Sequence, residues 1–173
     1  MLARVLRLFP ETKTILLKFI EQNDAMVMKQ KKYDYPFATA LFCEDIRLEQ
    51  GGRRSFMGVL GPSVSLSEIP GNLPLFCASI DVMLGKAPEP HNLSVLIESS
   101  WEPEIASFEV SSKDIEEAIR SKLQDNNEDL GGVSISVDVK KAAFEVPAEG
   151  VVKAWVTWGD EKLLAGGVRF KKG

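Results

Sequence analysis

The feature that most constrains this chain is a hydrophobic period of two that begins near residue 35 and runs almost to the end. Alternation of that kind places one set of side chains on one face of a strand and the next set on the other. It is cleanest where Val133, Ile135, Val137 and Val139 alternate with Ser134, Ser136 and Asp138. Phe37 to Leu48 is longer and apolar on both faces at first, with charge only at Glu44, Asp45 and Arg47. A run apolar on both sides suits a central, covered strand.

Turn signals punctuate the strands. Gln50-Gly51-Gly52-Arg53 supplies residues free to take positive φ, so Ser55 to Leu60 is expected to return as a hairpin partner. Gly61-Pro62 breaks that strand, and Ser63 to Pro74, carrying Pro70 and Pro74, reads as a loop or short edge segment. Strands follow at Leu75 to Leu84, Leu93 to Glu98 and Ala106 to Val110. Ala142 to Val146 continues the Val133 strand after a bend. Val151 to Trp158 and Leu163 to Phe170 form a terminal hairpin around Gly159-Asp160. If that last strand lies at an edge, it offers a site for pairing with a second copy.

One helix interrupts the strands, at about 112–124. Ser111 or Ser112 caps its free amides, and Asp114, Glu116 and Glu117 favour the positive end of its dipole. Ile115, Ala118, Ile119 and Leu123 form one apolar stripe. Many strands, short turns and one crossover helix indicate a mostly-β, two-sheet antiparallel sandwich, immunoglobulin-like or C2-like. That domain is expected to occupy residues 35–173. Residues 1–34 read instead as a helical extension, with Leu16, Phe19, Ile20 and Val27 on one side of a helix from Thr14 to Met28. Met26 and Met28 stand just before the basic run Lys29 to Lys32. Translation from one of these, or a genuine N-terminal helix, accounts for the change in texture.

The net charge of −4 gives no broad basic field to hold a phosphate backbone, so nucleic acid is not an expected partner. No stretch of eighteen apolar residues is present to span a membrane. Pro10, Glu11, Lys13 and Lys18 interrupt any signal-peptide core, which points to a cytoplasmic product. Cys43 and Cys77, the only cysteines, sit inside apolar runs and read as core thiols in a reducing compartment. A disulfide requires their strands to be neighbours.

Chemistry-bearing constellations are sparse. His91, the only histidine, sits in a Pro90–Asn92 turn, which removes most metal sites and most nucleophile–base pairs. Asp125, Asn127 and Asp129 have the spacing of a calcium loop, but Leu130 and Ser136 stand where glycine and a bidentate glutamate are required. Glu44 and Asp45 are adjacent on a strand and point to opposite faces. No catalytic residue, metal ligand or cofactor site is therefore expected. The aromatics are the remaining candidates: Trp155 and Trp158 on opposite faces of one strand, and Trp101 opening a loop beside Glu102. Exposed tryptophans anchor protein partners or stack on sugars; buried ones fill cores.

The opening Ala38-Thr39-Ala40-Leu41-Phe42-Cys43-Glu44-Asp45, its glycine turn, and the return Phe56-Met57-Gly58-Val59-Leu60-Gly61 resemble the start of an uncharacterised bacterial family of unknown function. Pro147-Ala148-Glu149-Gly150 and the final hairpin are similar to that family's close. The resemblance covers roughly Tyr35 to Phe170, departs from the family where Glu44 splits its Cys-Asp pair, and implies no catalytic residue or cofactor. Three functions are then expected in order: a non-catalytic binding or assembly module of bacterial or phage origin, with a protein partner or a homo-oligomer; a small-ligand or carbohydrate-binding sandwich using loops such as Gly85 to Asn92; and a hydrolase built on carboxylates alone.

Overall fold

The computed structural model describes residues 35–85, 88–124 and 133–173. The helical extension, the two candidate start methionines and the Asp125–Asp129 run lie outside them. The chain from Tyr35 to Gly173 forms one compact unit. It contains β1 (Phe37–Leu48), β2 (Arg54–Val59), β3 (Ser63–Leu66), β4 (Gly71–Met83), β5 (Leu93–Ser99), β6 (Ala106–Val110), α1 (Ser112–Gln124), β7 (Ser134–Val146), β8 (Gly150–Trp158) and β9 (Glu161–Lys172).

These strands make two sheets, in the orders β2-β1-β4-β7 and β3-β9-β8-β5-β6. The expected two-sheet, mostly-β architecture with one crossover helix is present. All pairs are antiparallel except β3 with β9, which run parallel. The segment expected to be a loop or edge is thus an edge strand, attached through Ser63↔Arg169 to Leu66↔Lys172. β9 lies between β3 and β8. Arg169 and Phe170 are therefore paired on both sides, while β3 does not reach Glu161–Val168.

The core lies between the sheets. Phe42, Phe76, Ile80, Phe144 and Val146 from the four-stranded sheet meet Val95, Ile97, Val152, Val156 and Phe170 from the other. Its centre is aromatic: the Phe76 ring stacks at 4.4 Å on Phe144 and at 5.7 Å on Phe42, and meets Phe170 edge-on at 6.3 Å. Ile115 and Ile119 of α1 join this core beside Leu84, Leu93 and Val133. The helix is capped by Ser111, whose hydroxyl accepts the Asp114 amide, while Asn92 Oδ1 accepts the Ser112 amide.

Two irregularities shape the sandwich. Between Ala154 and Trp155 the β8–β9 register slips by one residue at Ala165, a bulge beside Gly166-Gly167. A Cβ on Gly166 would sit 3.1 Å from the Ala40 carbonyl oxygen, so β1 and β9 approach closely only because both positions are small. The other irregularity is the arm. The β1–β4 ladder ends at Cys43↔Cys77, yet β1 continues to Leu48 with β2 beside it. Beyond Cys43 the contacts change sides: Lys140 on β7 donates to the Ile46 carbonyl and to Asp45, and Arg54 reaches β4 and β7. The tip of the β1–β2 hairpin therefore folds across the outer face of its own sheet, with Gly58 (φ +60°) packed against Glu44 at the bend.

That arm encloses a second small core of Cys43, Ile46 and Cys77 under Leu41, Phe56 and Leu75. It explains why β1 is apolar on both faces. It also explains Pro74 within a strand: β1 pairs with β4 no further than Cys77, so residues 71–76 run as an edge, where a missing donor is tolerated.

Candidate binding surface

Period two places Val95, Val156 and Leu163 inward, so Leu96, Trp155 and Leu164 face out from the five-stranded sheet. Register makes them a row. Leu96 is the cross-strand partner of Trp155, and Trp155 that of Leu164. The row crosses three adjacent strands, and Leu164 is 54% exposed. Gly167 and Ser63 and Ser65, also outward, keep the surrounding face low.

Trp155 is held in place. Its indole N–H donates to Glu98 Oε1 at 2.8 Å, and Lys162 Nζ lies 4.7 Å and Lys153 Nζ 5.9 Å from its ring centroid. The two lysines come from the rows on either side, Glu98–Lys153–Gly167 and Ser94–Thr157–Lys162. Cation–π attraction and one charge-assisted hydrogen bond fix a side chain that would otherwise lose rotamer freedom on binding. Lys153, Lys162, Arg169 and Lys171 all point out from this face, against Glu98 and, at the β6 rim, Glu109. On a chain of net charge −4 this is a locally basic surface.

The other two tryptophans are placed differently. Trp158 is 6% exposed within the core, with His91 edge-on at 5.6 Å, and presents no surface to a partner. Trp101 packs edge-on against Phe170 at 6.3 Å and lies over Gly150; its indole nitrogen is buried and makes no hydrogen bond. The structure thus does not bring the three together. Sequence reasoning singled out Trp155 but passed over Leu96 and Leu164. A two-residue turn at Gly159-Asp160 sets Trp158 opposite Glu161 and hence Trp155 opposite Leu164, so that half of the row was derivable. Leu96 required the strand order.

The outer face of the other sheet carries a polar cluster. Arg54 Nη2 donates to Asp81 at 2.9 Å, and Nη1 to Ser79 at 2.8 Å and Asp138 at 3.1 Å; the Ser79 hydroxyl in turn donates to Asp138. The hydrogen-bonded Asp81 carboxylate holds the guanidinium further above its ordinary pKa. Asp45 is held below the usual carboxylate range by its hydrogen bond from Arg47 and by Lys140. Each of Arg47, Arg54, Lys140, Asp45, Asp81 and Asp138 has an opposite charge within reach, so the cluster acts as a clasp for the arm rather than as an open charged site.

Two open clefts lie at opposite rims. One, of about 570 Å³, is lined by Leu66, Glu68, Pro70, Asn72, Glu145 and Pro147. The other, of about 490 Å³, is lined by Asn92, Ser94, Glu109, Ser111, Asp114 and Thr157. Neither has an aromatic wall. Among the described residues, no group of three His, Cys, Asp or Glu side chains is gathered to hold a metal ion, and no helix is long and apolar enough to cross a membrane. No family model matches the chain, and no curated protein matches it.

Proposed function

We propose that this chain is a non-catalytic binding module that docks a protein partner on the outer face of its five-stranded sheet. The observation that carries this reading is the outward Leu96–Trp155–Leu164 row, with Leu164 exposed and the indole already ordered by Glu98, Lys153 and Lys162. A pre-ordered tryptophan ringed by charge is the pattern of an interface anchor inside a polar rim. The basic rim selects a partner whose apolar contact residue is bordered by Asp and Glu. A stacked sugar fits less well, because Lys162 already lies over the indole ring. Glu68 and Glu145 share an open cleft, but both are exposed and nothing else there supports a hydrolase.

The test is a comparison of variants against one identified partner. Wild type and Trp155→Ala are used as bait, and the protein lost with Trp155→Ala is identified, purified and titrated calorimetrically. Truncating an anchor of this kind costs about 2 kcal/mol or more, roughly a thirtyfold rise in Kd. Lys153→Glu with Lys162→Glu weakens binding further and flattens its salt dependence. A partner bound equally by wild type and Trp155→Ala removes the assignment. Depletion by Trp101→Ala alone would move the site to the Trp101 loop.

A further inference from the structure

We propose that Cys43 and Cys77 are an oxidation site: a hydroperoxide converts this dithiol to a cross-strand disulfide, and the conversion loosens the β1–β2 arm. This stands apart from the binding surface, which lies on the other sheet. The pair occupies the last rung of the β1–β4 ladder, each residue directly opposite the other. Direct partners in an antiparallel pair have Cα atoms about 4.5 or 5.5 Å apart and side chains on one face. Both spacings fall within the 4.4–6.8 Å or so that a disulfide spans. Both residues are free thiols with no exposed surface.

The thiols also hold the arm's bend. Cys43 Sγ donates to the Asp45 carbonyl at 3.4 Å, and Cys77 Sγ donates to the Glu44 carbonyl at 3.7 Å. These carbonyls belong to the residues at which β1 leaves β4. Oxidation abolishes both S–H donors at once. A sulfur attacks the terminal peroxide oxygen, the O–O bond breaks, and water or an alcohol leaves as Cys43 or Cys77 becomes a sulfenic acid. The second sulfur then displaces its hydroxyl as water, forming the S–S bond. Two thiols and one hydroperoxide give one disulfide, one water and one alcohol; with hydrogen peroxide both products are water.

Burial pushes the Cys43 thiol up to about 11, with the neighbouring Cys77 adding to the effect, and raises Cys77 as well. Few thiolates exist in the closed arm at neutral pH, so attack awaits arm opening. Opening requires release of Arg54 from Asp81 and Asp138. The clasp therefore sets the rate of oxidation.

The experiment treats the reduced full chain with hydrogen peroxide, quenches with N-ethylmaleimide, and follows intact mass and disulfide-linked peptides. The expected product is intramolecular, about 2 Da lighter than the dithiol, with Cys43 joined to Cys77. It forms at least tenfold faster in Arg54→Met, and trypsin cleaves the oxidised chain at Arg47 and Arg53 faster than the reduced chain. If Arg54→Met is unfolded by circular dichroism, Arg54→Lys replaces it. Cys43→Ser/Cys77→Ser controls for cleavage unrelated to the pair. No linked peptide, only intermolecular dimers or sulfonic acids, or a linked peptide with unchanged arm proteolysis would each overturn the proposal.

Discussion

Replacing Arg54 with methionine isolates the clasp, because methionine keeps an unbranched apolar stem over Phe56 while removing the charge and every donor. The guanidinium is bonded to Asp81 and Asp138 with side-chain exposures of 24% for Arg54, 41% for Asp81 and 27% for Asp138. Such pairs are partly solvated, so each contributes only about 0.5 kcal/mol. The buried Ser79 hydroxyl loses its one guanidinium donor while still donating to Asp138, a loss of about 1 kcal/mol. The guanidinium lies 5.6 Å from the Phe56 ring centroid, worth about 0.5 kcal/mol at a half-exposed site. The total is about 2 to 2.5 kcal/mol.

Urea unfolding followed by tryptophan fluorescence should report that loss as a lower midpoint with an unchanged slope. The slope matters, since a changed slope would mean that the arm detaches before the sandwich unfolds. Asp81→Asn/Asp138→Asn supplies the second leg of a double-mutant cycle. Combined with Arg54→Met it should cost little more than Arg54→Met alone, because the carboxylates have lost their guanidinium and keep only the Ser79 and Ser136 hydroxyls, which an amide oxygen also accepts. A loss below about 0.5 kcal/mol, or strict additivity in the cycle, refutes the clasp.

Two further outcomes are expected. Cys43 has its pKa raised from near 9.0 to about 11 in the fold, so the stability it contributes is complete below pH 9 and is lost as pH rises toward 11. Unfolding at pH 8 and pH 11 should show a decline on the order of 2 kcal/mol, much reduced in Cys43→Ser/Cys77→Ser; an equal decline in both proteins contradicts the burial argument. Gly166→Ala places a methyl 3.1 Å from the Ala40 carbonyl oxygen and 3.3 Å from its Cβ, where two sheets meet. It should cost about 1 to 3 kcal/mol, and an unchanged thermal midpoint would show that β1 and β9 have slack between them.

Much of the fold was legible because strands announce themselves locally. The ends of β1 and β6 and the helix from Ser112 follow from period, cap and turn residues that neighbour one another in the chain. The terminal turn at Gly159, with φ +58°, was likewise a local matter. What stayed hidden was relational. β3 pairs with β9 across a hundred residues, and no residue within Ser63–Leu66 states that its partner runs parallel. The proline-bearing start of β4 looked like loop because Pro74 argues against a strand; the departure of β1 at Cys77 is what makes that stretch an edge. The relation of Cys43 to Cys77 similarly depended on strand order, which alternation does not encode.

The contrast between the two outer faces is the strongest argument for the proposed docking face. Both sheets carry apolar residues at outward positions, as Leu41 and Leu75 show on one and Leu96 and Leu164 on the other. On the first, the chain covers them with its own hairpin and clasps that cover with Arg54 and Lys140. On the second, no described hairpin does so, and the half-buried Trp155 indole is instead fixed among lysines. The outermost strands of the two sheets are poor alternatives. β3 and β6 have only four and five residues, β2 is bent at Gly58, and β7 presents Lys140 and Lys141 beside Ala143, whose φ of 51° breaks its regular pleat. Short edges, lysines and kinks are the devices by which sheets avoid adding strands. With pairing on those four strands discouraged and one face already covered, the outer face of the five-stranded sheet is the surface on which the proposed docking needs no backbone pairing.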